Sequence, residues 1–253
     1  MSTNLPRRPM PSQTLRIVRM RQLQNEVADA TLVSAGDSRT IGLEPGNTKT
    51  GTSGGRFGQI LVWNIPPLLT CPGASAWCQS ACYAGDVRPE VFNRPRWRRN
   101  LAAYHQRPNV LLNRISAQLK LAKPDVGVRI HTSGDFFDAD YILFWQSLIE
   151  ENPTVTFWAY TRSWVLSPLK VALETLRLRP NIQLFASWDP TMPQPPHGWR
   201  LSIVRDSSTY DLQSLPQART VAQCPEEFDR SVTCATCGFC LESRPRGVLF
   251  NVH

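Results

Sequence analysis

Between Gln59 and Val252, short apolar runs rich in β-branched and aromatic residues alternate with longer amphipathic stretches. This alternation limits the possible folds more than any other feature of the chain. Gln59-Ile-Leu-Val-Trp-Asn-Ile65 reads as a buried strand ended by Pro66-Pro67. Val126 to Ile130, Thr154 to Tyr160, Ile182 to Ala186, Arg200 to Val204, Arg219 to Ala222 and Gly247 to Val252 read as further strands. Arg94 to Ala122 reads as helix interrupted near Pro108. Asp138 to Glu151 carries Tyr141, Ile142, Trp145, Leu148 and Ile149 at helical spacing and stops at Asn152-Pro153. Ser167 can cap another helix, with Pro168 at its first position, that runs to Arg179. Strands separated by crossover helices predict an α/β fold with a parallel sheet. The count fits a full or partial (β/α) TIM-like barrel of about six to eight strands with a Cys-rich C-terminal loop. An open doubly wound sheet is the alternative. Residues 1–55 read as a polar basic arm and loop, and 56–253 as the barrel-like domain.

The 253 residues include 42% hydrophobic side chains, with 8 Trp and 10 Phe, which is enough for a core and excludes a wholly disordered chain. No run approaches the roughly 18 apolar residues of a membrane span. Met1 to Arg21 has charge without an apolar segment, and Pro6, Pro9 and Pro11 would break a presequence helix, so the expected location is cytoplasmic. The net charge of +8 favours polyanionic partners. Arg94, Arg96, Arg98 and Arg99 cluster with Arg88, Arg107, Trp97 and Tyr104, a composition suited to phosphates and unstacked bases or equally to a solvated helix face. Arg7, Arg8, Arg16, Arg19 and Arg21 add a basic arm.

The 7 cysteines fall into two tight groups. Cys224-x9-Cys234-x2-Cys237-x2-Cys240 offers four thiolates, enough for a tetrahedral zinc site or a [4Fe–4S] cluster. Three cysteines at two-residue gaps, with Pro225 after Cys224 and a flexible Gly238, favour the cluster over zinc. Cys71-x6-Cys78-x3-Cys82 offers three thiolates, which leave one coordination position for a substrate or cofactor. Mixed ligation between the groups is a further option, because both lie near strand ends. In parallel α/β folds chemistry gathers at the carboxyl ends of strands. Here those ends are polar: His131-Thr-Ser-Gly-Asp135, Tyr160-Thr-Arg162, Ser187-Trp-Asp189, Arg205-Asp206 and His253. His131 and Asp135 are candidate catalytic groups, whereas Asp138 and Asp140 suit the start of a helix. A Gly-x-Gly-x-x-Gly fingerprint, a phosphate loop and a Gly-x-Ser-x-Gly elbow are all missing from the sequence.

Three cysteines after the first strand of such a fold resemble the radical SAM superfamily. That resemblance implies a three-Cys [4Fe–4S] cluster whose open iron chelates S-adenosylmethionine, reductive cleavage to a 5′-deoxyadenosyl radical, and an electron donor. It places Ser133, Gly134 and Asp135 where a Gly-Gly-Glu-like motif holds the methionine amine, with Ser187 as a further cofactor contact, and it makes the C-terminal cysteines an auxiliary cluster. The spacing differs from the superfamily's Cys-x3-Cys-x2-Cys, and Asp135 is one methylene shorter than Glu. More closely, Gly46-Asn-Thr-Lys49, Pro66-Pro67, Thr70-Cys71, Cys82-Tyr83-Ala84 and Thr233-Cys-x2-Cys-Gly-x-Cys240 resemble the phage and plasmid gene product 88 family. The leading expectation is therefore a radical-SAM-like iron–sulfur enzyme, acting on a nucleic acid or nucleotide. The alternative is a non-enzymatic nucleic-acid-binding protein of a mobile element with structural iron–sulfur or zinc sites.

Overall fold

The computed structural model describes residues 41–52, 55, 57–82, 84, 87–205 and 221–251, and the backbone alone over 87–94. The basic arm, Tyr83, Asp206, His253 and the side chains of Arg88 and Arg94 lie outside the described residues.

Eight strands form one sheet: β1 (Glu44–Pro45), β2 (Gln59–Trp63), β3 (Val126–Ile130), β4 (Thr156–Thr161), β5 (Ile182–Trp188), β6 (Arg200–Arg205), β7 (Val221–Gln223) and β8 (Gly247–Asn251). Their order is β1-β2-β3-β4-β5-β6-β8-β7. All neighbours are parallel except the short edge strand β1, which runs antiparallel to β2. The closed barrel is corrected by this order: among the described residues the sheet is open, with β1 at one edge and β7 at the other. β2 to β6 succeed one another without the reversal of a doubly wound sheet. Crossovers that all advance in one direction, with one handedness, place their helices on a single face.

The burial pattern agrees. Leu61, Trp63, Val128, Ile130, Phe157, Ala159, Leu184, Ala186, Leu201 and Ile203 alternate along their strands into one core. The same core holds Leu111, Ile115 and Leu119 of α3 (Pro108–Lys120), Tyr141, Trp145 and Leu148 of α4 (Ala139–Glu151), and Leu169, Leu173 and Leu176 of α5 (Ser167–Arg177). Each fully buried Leu or Ile in that layer contributes roughly 1.5–3 kcal/mol. The opposite face holds a smaller cluster of Ile60, Val62 and Trp158, covered by Ala235 and Leu241 from the Cys-rich C-terminal segment.

Local chemistry accounts for the helix boundaries. Asp138 caps α4 by accepting from Tyr141 N. Helix α5 starts at Ser167, the expected cap, so Leu166 takes the N-cap position and Pro168 the second helical one. The stretch before Pro108 is a separate helix, α2 (Val87–Gln106), and a short α1 (Ala76–Ser80) precedes it. Ile41 and Leu43, from the segment read as arm and loop, are buried in the main core.

One side chain ties the strand ends together. Buried Asn64, directly after β2, accepts through Oδ1 from Thr132 N at 3.0 Å, Ser133 N at 2.9 Å and the Thr132 hydroxyl. Asn64→Ala leaves those amides without an acceptor. It is expected to destabilise the protein by roughly 2–4 kcal/mol in chemical denaturation, whereas a change near zero would mean that the contact carries no weight.

Candidate metal and cofactor sites

Cys71 lies in the loop from β2 to α1, Cys78 within α1 and Cys82 just after it. Thr70 Oγ1 donates to Pro66 O at 2.6 Å, and Leu68 holds a left-handed φ of 64°. Gly73 lies directly on β4's exit, where an added Cβ would stand 2.4 Å from Arg162 O. Ser75 caps α1, accepting from Cys78 N at 3.0 Å and donating to Asp189 Oδ2 at 2.6 Å. The Arg162 guanidinium pairs with the same carboxylate and lies 6.0 Å from the Trp77 ring centroid. Asp189 and Arg162 directly follow β5 and β4 at their carboxyl ends.

Cys71, Cys78 and Cys82 are close enough to act on one another electrostatically. Burial pushes the Cys71 thiol well up, and the Asp135 charge adds to that; burial raises Cys78 as well, and the Arg162 charge opposes it. Asp135 is itself raised to about 6 by burial. Its Oδ1 accepts from Phe136 N at 2.7 Å and its Oδ2 from Arg162 N at 2.8 Å. Ser133 Oγ donates to Ile65 O at 3.1 Å. Gly134 needs to be glycine, with φ 89° and a Cβ position 2.3 Å from Ile65 Cγ1. The structure thus gathers Cys71, Cys78, Cys82 and Asp135, and adds Ser75, Arg162 and Asp189. Sequence reasoning noted the last two as polar strand ends without assigning them to a site.

His131 stands apart in an aromatic cluster. Its Nε2 is 2.8 Å from Tyr141 Oη, which accepts from Trp63 Nε1 at 2.7 Å, and its ring centroid is 4.8 Å from that of Phe136. Full burial lowers its pKa to about 3, so it is neutral at physiological pH. Half-buried Ser187 lies on the helix-free face, and its carbonyl accepts from Trp164 Nε1 at 3.0 Å. Arg96 Nη2 donates to Leu43 O at 3.0 Å, so this arginine fastens β1. Arg98 and Arg99 are half-buried. Trp97 and Tyr104 are buried, so the aromatic faces expected between the arginines are not presented for stacking.

Cys234 and Cys240 of the second thiol group pack on the helix-free face against Ile60, Val62 and Trp158. Cys224 follows β7 and donates its N–H to Leu249 O at 2.9 Å. Cys234 opens a four-residue helix, α6 (Cys234–Cys237), closed by a capping box of Thr233 and Thr236 and ended by Gly238 at φ 65°. The loop of Gly46 to Gly51 receives it: Cys234 N donates to Lys49 O and Ala235 N to Thr50 O, each at 3.1 Å. Arg200 locks the exit, donating to Glu242 O at 2.7 Å, Phe239 O at 3.2 Å and Arg246 O at 3.0 Å, with its guanidinium 4.2 Å from the Phe185 ring centroid. The Tyr160 hydroxyl donates to the Cys240 thiol. Burial pushes Cys240 up to about 12 and Cys234 to about 11, with Arg129 opposing the rise at Cys234. Cys224, Cys237 and Cys240 each act electrostatically on Cys234 or on one another.

Among the described residues, no group of three or more His, Cys, Asp or Glu side chains stands at metal-ligand spacing. The thiols lie within electrostatic reach of each other, and binding one metal centre requires their side chains to converge. Sulfur donors would suit a zinc or iron–sulfur centre once converged, and burial disfavours their free thiolates. No described helix is long and apolar enough to cross a membrane.

Two buried groups give opposing pH dependences. His131 is lowered to about 3 from 6.5, so the unfolded chain alone takes up its proton below pH 6.5 and stability falls with falling pH. Asp135 is raised to about 6 from 3.8, so the folded chain alone keeps its proton in that window and stability rises as pH falls. In His131→Asn only the second effect remains. The stability of the parent relative to this variant should shrink by about 1.4 kcal/mol per pH unit as pH drops from 6.5 toward 4, measured by denaturant titration. A pH-independent difference would show that His131 is not held neutral.

The family model described as Gene product 88 matches residues 38–243. The Gene 88 protein of Mycobacterium phage L5 is 31% identical over 204 residues, covering 72% of this chain and 82% of the phage protein. The Gene 88 protein of Mycobacterium phage D29 shows the same identity and coverage. No solved structure matches the chain. The match takes in the strands from β1 to β7 and all seven cysteines, and on that basis this chain belongs to the gene product 88 family.

Proposed function

We propose that this family member is an iron–sulfur protein with radical-SAM-type chemistry at Cys71, Cys78 and Cys82 and an auxiliary cluster at Cys224, Cys234, Cys237 and Cys240. The observation that carries this reading is the gathering of three half-buried cysteines beside Asp135, Arg162 and Asp189 at the carboxyl ends of the parallel strands. Three thiolates fall one short of a full tetrahedral set, which leaves a position for a small molecule. When bound, a [4Fe–4S] cluster supplies an electron for reductive cleavage of S-adenosylmethionine.

The protein's own residues bind and orient. Asp135 accepts backbone N–H groups from Phe136 and Arg162 and side-chain hydrogen bonds from Thr161 and Ser163, so a methionine ammonium would take the place of one of those hydroxyls. That ammonium would draw the carboxyl back to its ionised form from its raised pKa of about 6. Ser133, whose hydroxyl donates to Ile65 O, keeps oxygen lone pairs for the same amine, and Gly134 lets the backbone approach closely. Arg162, fixed by Asp189, faces Cys78 and offers a guanidinium to a carboxylate. Ser187 lies on the same face, nearer the middle of β5. His131, neutral and hydrogen-bonded to Tyr141, shapes the wall of the strand end instead of delivering a proton. A nucleic acid or nucleotide substrate is proposed from the net charge of +8.

Anaerobic purification tests the reading. The parent should be brown, contain iron and sulfide, show a SAM-perturbed EPR signal and release 5′-deoxyadenosine under reductant. Cys71→Ser with Cys78→Ser and Cys82→Ser should remove about half of the iron and all 5′-deoxyadenosine release. A colourless protein with zinc alone would overturn the enzyme reading and leave a structural metalloprotein, whose nucleic-acid binding would weaken steeply with salt.

A further inference from the structure

We infer that residues 71–82 form a lid on the exits of β4 and β5, latched by the bond from the Ser75 hydroxyl to Asp189, and that lifting this lid opens the Arg162 guanidinium to a ligand. The inference rests on the preceding reading only in taking the strand ends as the site.

Side-chain bonds join neighbouring strand exits in turn. Asn64, after β2, holds Thr132 and Ser133 after β3. Asp135 holds the Arg162 N–H after β4. The Arg162 guanidinium pairs with Asp189 after β5. Each of these links runs between strands that the sheet already keeps in register. The last link is different. Ser75 Oγ reaches Asp189 Oδ2 at 2.6 Å from a loop 114 residues away in the chain, with no strand ladder beneath it.

The loop sits close on what it covers. Gly73 is buried, and a Cβ there would stand 2.4 Å from Arg162 O and 2.8 Å from Ser163 Cα. Arg162 and Asp189 are 6% and 0% exposed. Apolar anchorage, by contrast, is slight. Thr70 is the last buried side chain before the loop, Gly73 is the only buried residue from Cys71 to Cys82, and α1 buries none of its own. A segment with few buried apolar contacts opens at lower free energy than the core around it.

Opening strands no charge. Asp189 retains Arg162, and through Oδ1 it retains Thr191 N at 3.0 Å and the Thr191 hydroxyl at 2.5 Å. The Ser75 hydroxyl and the Cys78 N–H pass to water. Among the described residues, the guanidinium of Arg162 bonds through Nη1 alone, to Asp189 and Met192 Sδ. Nε and Nη2 then serve the oxygens of an anionic ligand group, while Asp189 keeps the guanidinium aimed.

The test is hydrogen exchange of the full chain read by mass spectrometry, with phenylglyoxal modification of Arg162 followed by peptide mapping. Neither needs metal, S-adenosylmethionine or turnover, so the lid and the proposed chemistry stand or fall separately. In the parent, the amides of 72–82 should exchange at least ~10-fold faster than those of β4. Ser75→Ala should speed both that exchange and Arg162 modification a further ~10-fold, with β3, β4 and β5 unchanged. Ser75 also caps α1, and Ser75→Asp separates the two roles. It keeps an acceptor for Cys78 N but sets a carboxylate against Asp189, so it should open the lid as Ala does, whereas Ser75→Thr should keep it closed. Gly73→Ala, pushed off the Arg162 carbonyl, should open it by a route that leaves the hydroxyl intact. Four results would each overturn the inference: parental exchange in both Ser75→Ala and Gly73→Ala, acceleration spread equally over β3 to β5, a Ser75→Asp chain that behaves as the parent, or Arg162 modification that stays parental while 72–82 accelerates.

Discussion

One-sided coverage of the sheet is the constraint on which the rest of this structure depends. Because β2, β3, β4, β5 and β6 lie side by side in chain order, their crossover helices pack on one face. That face takes the bulk of the apolar side chains. The other face must be covered by something else, and the covering comes from the Cys-rich segment that follows β7. The two halves of each strand's alternation therefore do different work. Trp63, Ile130, Ala159 and Ala186 build the core, while Val62, Arg129, Tyr160 and Phe185 meet thiols, cations and rings.

This division explains how two thiol groups occupy one surface without merging. The first rides on the loop after β2 and is pinned to the strand exits through Gly73 and Ser75. The second is seated by the Gly46 to Gly51 loop and the first residues of β3 and β6, where Gly127 admits Leu241 and Arg200 ties the segment's carbonyls. Both groups pay for burial in raised thiol pKa values, and both have a guanidinium nearby that opposes the rise.

Much of this was legible from particular residues. The strand at Gln59 to Trp63, the Asp138 cap and the stripe of Tyr141, Trp145 and Leu148 follow from periodicity and capping chemistry, and the structure has them where expected. The separate helix before Pro108 begins earlier than its apolar pattern suggests, because α2 is largely polar and is carried by packing at Trp97, Leu101 and Tyr104. Edge strand β1 was hidden because two residues, Glu44 and Pro45, have no periodicity to detect. Arg162 and Asp189 were visible as polar strand ends, but their pairing across β4 and β5 is a long-range contact with no local signature. Trp97 and Arg96 looked like a nucleic-acid surface and instead serve the core and β1, since composition does not state which face of a helix is buried.

The sequence by itself determined the element order, the parallel sheet and the two cysteine groups, because periodicity, caps and spacing act over a few residues. Only the tertiary structure decided that the sheet stays open, that the thiol groups remain separate, and which charges face each of them. Those outcomes depend on register and crossover direction between strands far apart in the chain, such as Arg129 opposite Trp158 and Phe185 opposite Arg200. Such pairings are settled by burial of the whole sheet face at once, and no short window of residues encodes them.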